Sequence, residues 1–282
     1  MTDQTVTSGA ATTVTDEDRR TAVEELMTDG ITARKNAFTR EFIQQVREDV
    51  DIAYEDARNR EGGAVGRGPN RFYVEIHPEA LRGFVGLVDH PWVRTVAESV
   101  LGPRYTIVEV GFDVPGPGAK NQPWHRDFPM PEETKTERRL TSLAFNVTLV
   151  DTEPDMGPFE IALGTQWEVG EDFDHGMFPP KESYPHFEER AVRKFPQMGD
   201  ISGRSALTVH RGTEHASQKL RPVLVLGFDA PGAGNDEHHD MAVTKSYWEA
   251  LPESVKAHLS CPIVDELTPI VQKHTIEGLV MG

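Results

Sequence analysis

Apolar positions fall at helical spacing in the first third of the chain and at strand spacing after it. Ala22, Val23, Leu26 and Met27 form a short stripe behind Asp16 and an acidic first turn, which predicts a helix capped by Asp16 and closed by Asp29-Gly30. A longer helix is predicted from about Thr39 to Arg58, where Phe42, Ile43, Val46, Val50, Ala53, Tyr54 and Ala57 share one face suited to packing on a sheet. Two shorter helices follow, around Glu79 to Val88 and Pro91 to Leu101, the second stopped by Gly102-Pro103. The character then changes. YTIVEVGFDV (105–114), LTSLAFNVTLV (140–150), GPFEIAL (157–163), SALTVHR (205–211) and RPVLVLGFDA (221–230) all read as strands. Short strands with turns between them point to a sandwich or barrel, and no parallel βαβ unit, internal repeat or phosphate-binding glycine loop interrupts them.

Composition narrows the class. Apolar residues make up 37% of the 282 positions and charged residues 27%, as in a globular protein with a sizeable core. A formal net charge of −17 argues against general affinity for nucleic-acid phosphates or anionic membranes. Cys261 is the only cysteine, so neither an intrachain disulfide nor a cysteine zinc site is expected, and a reducing, cytoplasmic setting fits. No signal peptide or membrane span is read from the sequence. Residues 1–15, small and polar, are expected to form a disordered tail before a single domain over 16–282. Within it, residues 167–198 carry scattered aromatics and a Pro179-Pro180 break, and are expected to form a lid or insert.

The chemistry starts at QPWHRDFPMP, residues 122–131. On a strand, residues two apart share a face, so His125 and Asp127 can offer a nitrogen and an oxygen to one ion while Arg126 faces away. A third ligand has to come from elsewhere, and His210, at the end of a predicted strand, is the best placed. Two histidines and one carboxylate leave positions open and suit non-haem iron(II) with oxygen. Arg221, eleven residues on, can cross the hairpin into the same cavity, where its rigid fork suits a carboxylate. Metal and carboxylate anchor together are what 2-oxoglutarate requires.

At this point the chain resembles the phytanoyl-CoA dioxygenase family of Fe(II)/2-oxoglutarate-dependent oxygenases. The resemblance runs through DGITARKNAFTREFIQQVRE, QPWHRD, DTEPDMGPFEIALGTQ and MGD…VHRGTEHAS…RP, in that order. It implies a mainly β core, a double-stranded β-helix (jelly roll, cupin-like), with flanking amino-terminal helices. It matches His125, Asp127 and His210 to the iron ligands and Arg221 to the clamp on the 2-oxoglutarate C5 carboxylate. Gln122 matches a second cosubstrate contact, and Ser217 of the distal block joins it. Asn146 and Thr148, which share a strand face, are further cosubstrate contacts if that face is interior. His215 lies too near Arg221 for the family's spacing, so His210 is preferred as ligand and His215 is left to line the pocket. The family's PGSH stretch is ALGTQ here, residues 162–166, without the histidine.

The expected reaction couples conversion of 2-oxoglutarate and O2 to succinate and CO2 with oxidation of a C–H bond in a small metabolite. A carboxylate at position 127 disfavours halogenation, which needs that coordination position free. Two rivals stand beside this reading: a cupin-like metalloenzyme that does not use 2-oxoglutarate, and a non-catalytic binding protein on the same fold. Glu237, His238, His239 and Asp240 read as surface polarity after a PGAGND loop; Glu109 and Asp113 alternate with apolar residues on a strand before the site, where one could touch substrate, but the preferred reading is a solvent-facing carboxylate. The remaining histidines (77, 90, 175, 186, 258 and 274) read as structural or surface.

Overall fold

The computed structural model describes residues 13–233 and 239–273; the tail expected through residue 15 lies mostly outside these, as do Glu237, His238 and His274. The chain opens with helix α1 (Asp16–Thr28), whose cap is Thr15 rather than Asp16. Thr15 accepts from the Asp18 amide while the Asp18 carboxylate reaches back, a reciprocal capping box that satisfies two otherwise orphaned N–H groups. Strand β1 (Ile31–Arg34) leads to α2 (Arg40–Asn59), capped by Thr39, and its predicted stripe is the face it buries. Each such side chain contributes roughly 1.5–3 kcal/mol when fully removed from water.

The element predicted over 79–88 is broken into a 3-10 turn (Pro78–Ala80) and a short helix α3 (Phe84–Val88). Gly83 sits at the break because a Cβ there would stand 2.9 Å from Phe42 and Val46 of α2. Helix α4 (Pro91–Leu101) follows as predicted and sets Trp92 edge-on against Phe145 of the sheet.

Two antiparallel sheets make up the core, and a short parallel pair, Val243–Thr244 with Ile263–Val264, lies apart from them. The larger has the order β1-β8-β5-β10-β4-β3-β2, with β2 (Val65–Gly66), β3 (Arg71–Glu75), β4 (Thr106–Pro115), β5 (Ser142–Thr148), β8 (Ile201–Ser205) and β10 (Val223–Asp229). The smaller is β7-β6-β9, from β6 (Phe159–Ala162), β7 (Ala191–Lys194) and β9 (His210–Gly212). This is the expected jelly-roll layout, an antiparallel core with flanking helices, and its two sheets do not close into a barrel. SALTVHR is not one strand. Ser205 ends β8, a turn spans 206–208, and His210 begins β9, so the stretch switches the chain from the large sheet to the small one.

One face of the large sheet carries the main core, with Val110, Phe112, Phe145, Val147, Leu224, Leu226 and Phe228 packed beneath the helices. The opposite face looks across at the small sheet and lines a cavity of about 460 Å³.

Candidate metal centre and carboxylate-binding cavity

His125 and Asp127 do not lie on a regular strand, so the same-face spacing that suggested them is not what aligns them. The backbone of His125 exchanges two hydrogen bonds with that of His210, at 3.0 and 2.8 Å, and the Asp127 amide donates to the Ala206 carbonyl at 2.9 Å. The 125–127 segment is thereby laid along the β8–β9 connection, and ligand atoms of His125, Asp127 and His210 come within 4.8 Å of one another. No other such group of three occurs among the described residues.

The surrounding hydrogen bonds fix the chemical form of each side chain. His125 Nδ1 lies 2.9 Å from the Pro123 carbonyl and His210 Nδ1 lies 2.9 Å from that of Thr208. A carbonyl only accepts, so each Nδ1 carries the proton and each Nε2 keeps a lone pair for a cation. Arg204 Nη1 donates to Asp127 Oδ2 at 2.6 Å, while Oδ1 stands 3.5 Å from His210 Nε2. Burial pushes the His125 imidazole down to about 4 and that of His210 well below its ordinary range. Burial works to raise the Asp127 carboxyl, but the charge of Arg204, then His210, overrides it and holds Asp127 at about 2. Two neutral imidazoles and one carboxylate, without a thiolate, fit an iron(II) centre with open positions.

The cavity beside this triad ends in two buried arginines. Arg221 is 5% exposed and is held by its Nε and Nη2, which donate to the Met156 and Gly157 carbonyls at 2.8 Å each. Arg71, opening β3, is 2% exposed and donates through Nη1 to Gln122 Oε1. Its Nε and Nη2 are buried without a hydrogen-bond partner, an arrangement that is costly unless an anion completes it. Burial lowers both guanidinium pKa values, Arg221 to about 10, and the charge of Arg71 lowers Arg221 further. Gly212 makes room for this packing, since a Cβ there would overlap the Arg71 guanidinium. Gln122 faces the cavity, yet its Oε1 is already occupied by Arg71 and the Gly212 amide.

Arg71 and Arg204 were not among the residues expected from the sequence. A basic residue opening RFYVE and another in ISGRS carry no signal of their own, because their partners lie far along the chain.

The other expected contacts divide. Asn146 lines the cavity and its Oδ1 is buried without a partner. Thr148 is buried outside the cavity lining, and Ser217 lies in the loop after β9, also outside it. His215 does not line the pocket either. It is buried behind it, bridged to Met156, where Gly157 lets the two segments approach. Glu109 and Asp113, both half-buried, line the cavity, and His239 and Asp240 join them, so four residues read as solvent-facing or surface polarity line it. Among the remaining histidines, His90 caps α4 and His258 stacks on Tyr105, both structural.

The segment expected as a lid returns to the small sheet as β7 after a short helix over Tyr184–Glu188. Its part over the triad carries Met177 and Phe178, both lining the cavity, with the Phe178 ring 6.0 Å from that of His125. Arg126 turns away from the triad and pins this segment, donating to the carbonyls of Glu168, Val169 and Gly176 at 2.8–2.9 Å.

With that geometry established, the comparisons are direct. Residues 17–223 match the phytanoyl-CoA dioxygenase (PhyH) family, and the chain belongs to it. No curated protein is significantly similar in sequence. Among solved structures, the non-haem α-ketoglutarate-dependent carbocyclase SnoK from nogalamycin biosynthesis superposes with a TM-score of 0.62 at 19% identity, covering 79% of this chain and 87% of its own. The epimerase SnoN, crystallised with Fe3+, α-ketoglutarate and nogalamycin RO, gives 0.60 at 17%, covering 77% and 85%. HygX from Streptomyces hygroscopicus, with nickel and 2-oxoglutarate bound, gives 0.55 at 14%, covering 76% and 87%.

Proposed function

We propose that the protein is an Fe(II)/2-oxoglutarate-dependent oxygenase that oxidises a C–H bond of a small molecule, converting 2-oxoglutarate and O2 to succinate and CO2. The observation that carries this reading is one cavity holding both a convergent His125–Asp127–His210 donor set and, at one end, two buried arginines short of an anion. The two histidine Nε2 atoms and the Asp127 carboxylate would hold iron(II), which would supply oxygen activation there.

The chain's own residues do the rest. Arg221 and Arg71 bind the distal carboxylate of the cosubstrate, Arg221 already oriented by two carbonyls and Arg71 gaining the partner it lacks. Gln122 positions Arg71, and Asn146 offers its buried Oδ1 to a donor inside the cavity. Arg204 keeps Asp127 ionised, donating to Oδ2 at 2.6 Å and at the longer distance of 3.3 Å to Oδ1, and so orients the carboxylate with Oδ1 toward His210. Met177 and Phe178 cover the triad and limit water beside it. With Asp127 as a ligand the reaction is hydroxylation, desaturation or ring formation in preference to halogenation.

The site residues act within one domain, in which residues 167–198 serve as cover. No helix among the described residues is long and apolar enough to cross a membrane. The single cysteine favours a cytoplasmic setting. The deciding assay is succinate release from 2-oxoglutarate with Fe(II) and O2, run beside Asp127→Ala. A folded, iron-loaded protein that releases no succinate, with or without candidate substrates, removes this reading and leaves the cupin-like enzyme or the binding protein.

A further inference from the structure

The large sheet's cavity face is organised in rows, and one row joins the metal centre to a carboxylate. Arg204 pairs with Ala144, Ala144 with Gly227, and Gly227 with Glu109. At about 4.8 Å per strand this row spans roughly 14 Å from the arginine that holds Asp127 to Glu109. Its two middle positions are glycine and alanine, so the floor between the ends is bare backbone and one methyl group. Glu109 leans over this floor: a Cβ on Gly227 would overlap its Oε2.

The other oxygen of Glu109 is fixed. The Tyr73 hydroxyl donates to Oε1 at 2.5 Å, and His239 Nε2 stands 3.5 Å from the same atom. His239 is itself oriented by an Nδ1 contact of 3.1 Å with the Val110 carbonyl. Burial, then the Glu109 charge, raises the Tyr73 pKa well above its ordinary value, so the phenol stays a donor. Oε2 has no hydrogen bond among the described residues. Beside it, the Arg67 guanidinium lies 3.9 Å over the Tyr73 ring, lines the same cavity and has no ion-pair partner among the described residues.

We infer that Glu109 is the substrate-recognition residue, and that the substrate is an amino-bearing small molecule lying on the Gly227–Ala144 floor with its amine on Glu109 Oε2 and the C–H to be oxidised toward the triad. The clamp at the cavity's far end is left to the cosubstrate. Arg67 faces the position where a carboxylate next to that amine would fall, which makes amino-acid-like zwitterions the class that fits best. The inference rests on the oxygenase reading for the fate of the C–H bond, but amine binding itself can be read without turnover.

The test uses the full chain loaded with Mn(II) and 2-oxoglutarate, without O2. Isothermal titration compares matched probes that differ only in the amine next to the carboxylate: L-alanine with L-lactate, and L-norvaline with L-2-hydroxyvalerate. One or more amines should bind in preference to its hydroxyl partner, and Glu109→Gln should weaken that binding about ten- to a hundredfold, as expected for loss of a charge-assisted hydrogen bond. Ala144→Val, which fills the floor and keeps the carboxylate, should weaken it as well. Circular dichroism and retained 2-oxoglutarate binding certify that each variant is folded. Protein that binds 2-oxoglutarate but no amine, hydroxyl probes that bind as well as amines, or equal amine affinity in Glu109→Gln each overturn the inference and leave the oxygenase reading intact. Failure to bind 2-oxoglutarate or release succinate counts against that reading alone.

Discussion

Arg71→Met separates a residue kept for a ligand from one kept for the fold. The Arg71 guanidinium is buried with Nε and Nη2 unpartnered, and after burial itself its charge further lowers the Arg221 pKa. Its one acceptor, Gln122 Oε1, still receives the Gly212 amide when Arg71 is gone. Replacement by an apolar side chain of similar length should therefore cost the free protein little, or stabilise it. Cosubstrate binding should respond in the opposite sense. Loss of a charge-assisted hydrogen bond costs about 2 kcal/mol, roughly a thirtyfold rise in Kd. At a concentration 100 times the wild-type Kd, 2-oxoglutarate stabilises the native state by about 2.7 kcal/mol, and the variant would retain about 0.9 kcal/mol. At roughly 2–4 °C per kcal/mol for a chain of this size, the ligand-induced rise in Tm should shrink to about a third. Thermal melts of the Mn(II)-loaded protein with and without 2-oxoglutarate measure both quantities. An unchanged ligand-induced shift, or a variant several degrees less stable without ligand, would refute the assignment.

The same measurements sort the other residues. Arg221→Met should lose 2-oxoglutarate binding and also stability, by about 1–3 kcal/mol for each buried carbonyl it leaves unpaired, Met156 and Gly157. Gly212→Ala should abolish 2-oxoglutarate binding through displacement of Arg71, seen as loss of the ligand-induced Tm rise. His210→Ala should remove metal binding by equilibrium dialysis, whereas His215→Ala should retain it; the reverse result would exchange their roles. In the metal-free protein the depressed His125 and His210 make stability fall as pH drops below about 6.5, because the unfolded chain then takes up protons the folded one refuses. Each contributes up to about 1.4 kcal/mol per pH unit until the pH reaches its folded value, about 4 for His125. Urea melts between pH 7 and 5 check this, and a midpoint independent of pH contradicts it.

The parts of the molecule that could be read from sequence are those governed by local rules. The stripe of α2, the stop at Gly102 and the strands around Val110, Phe145 and Leu226 follow from periodicity and breakers. The triad was legible too, although the strand argument for His125 and Asp127 was mistaken: cross-chain hydrogen bonds to His210 and Ala206 align them. On β4 the preferred reading failed. Its polar residues Glu109 and Asp113 alternate as on a strand with one wet face, which assigns them to solvent. Here both faces are interior, one packed on helices and the other lining the cavity, so alternation cannot distinguish a solvated carboxylate from a functional one. His239 was lost in the same way, as a polar residue in a polar run.

Opposite charges at separate places in the cavity provide an order to its contents. If the substrate carries an amine as inferred, the arginine end would repel it and attract a dicarboxylate while Glu109 would do the reverse, so neither ligand would compete well for the other's place. In a chain of net charge −17 the two buried arginines are a local inversion, maintained by hydrogen bonds to Gln122 and to the Met156 and Gly157 carbonyls and not by ion pairs. An ion pair there would have neutralised the clamp before the cosubstrate arrived. On the proposed function, the unpartnered donors of Arg71 are a cost that a bound carboxylate would relieve, which would couple cosubstrate affinity to the stability of the fold.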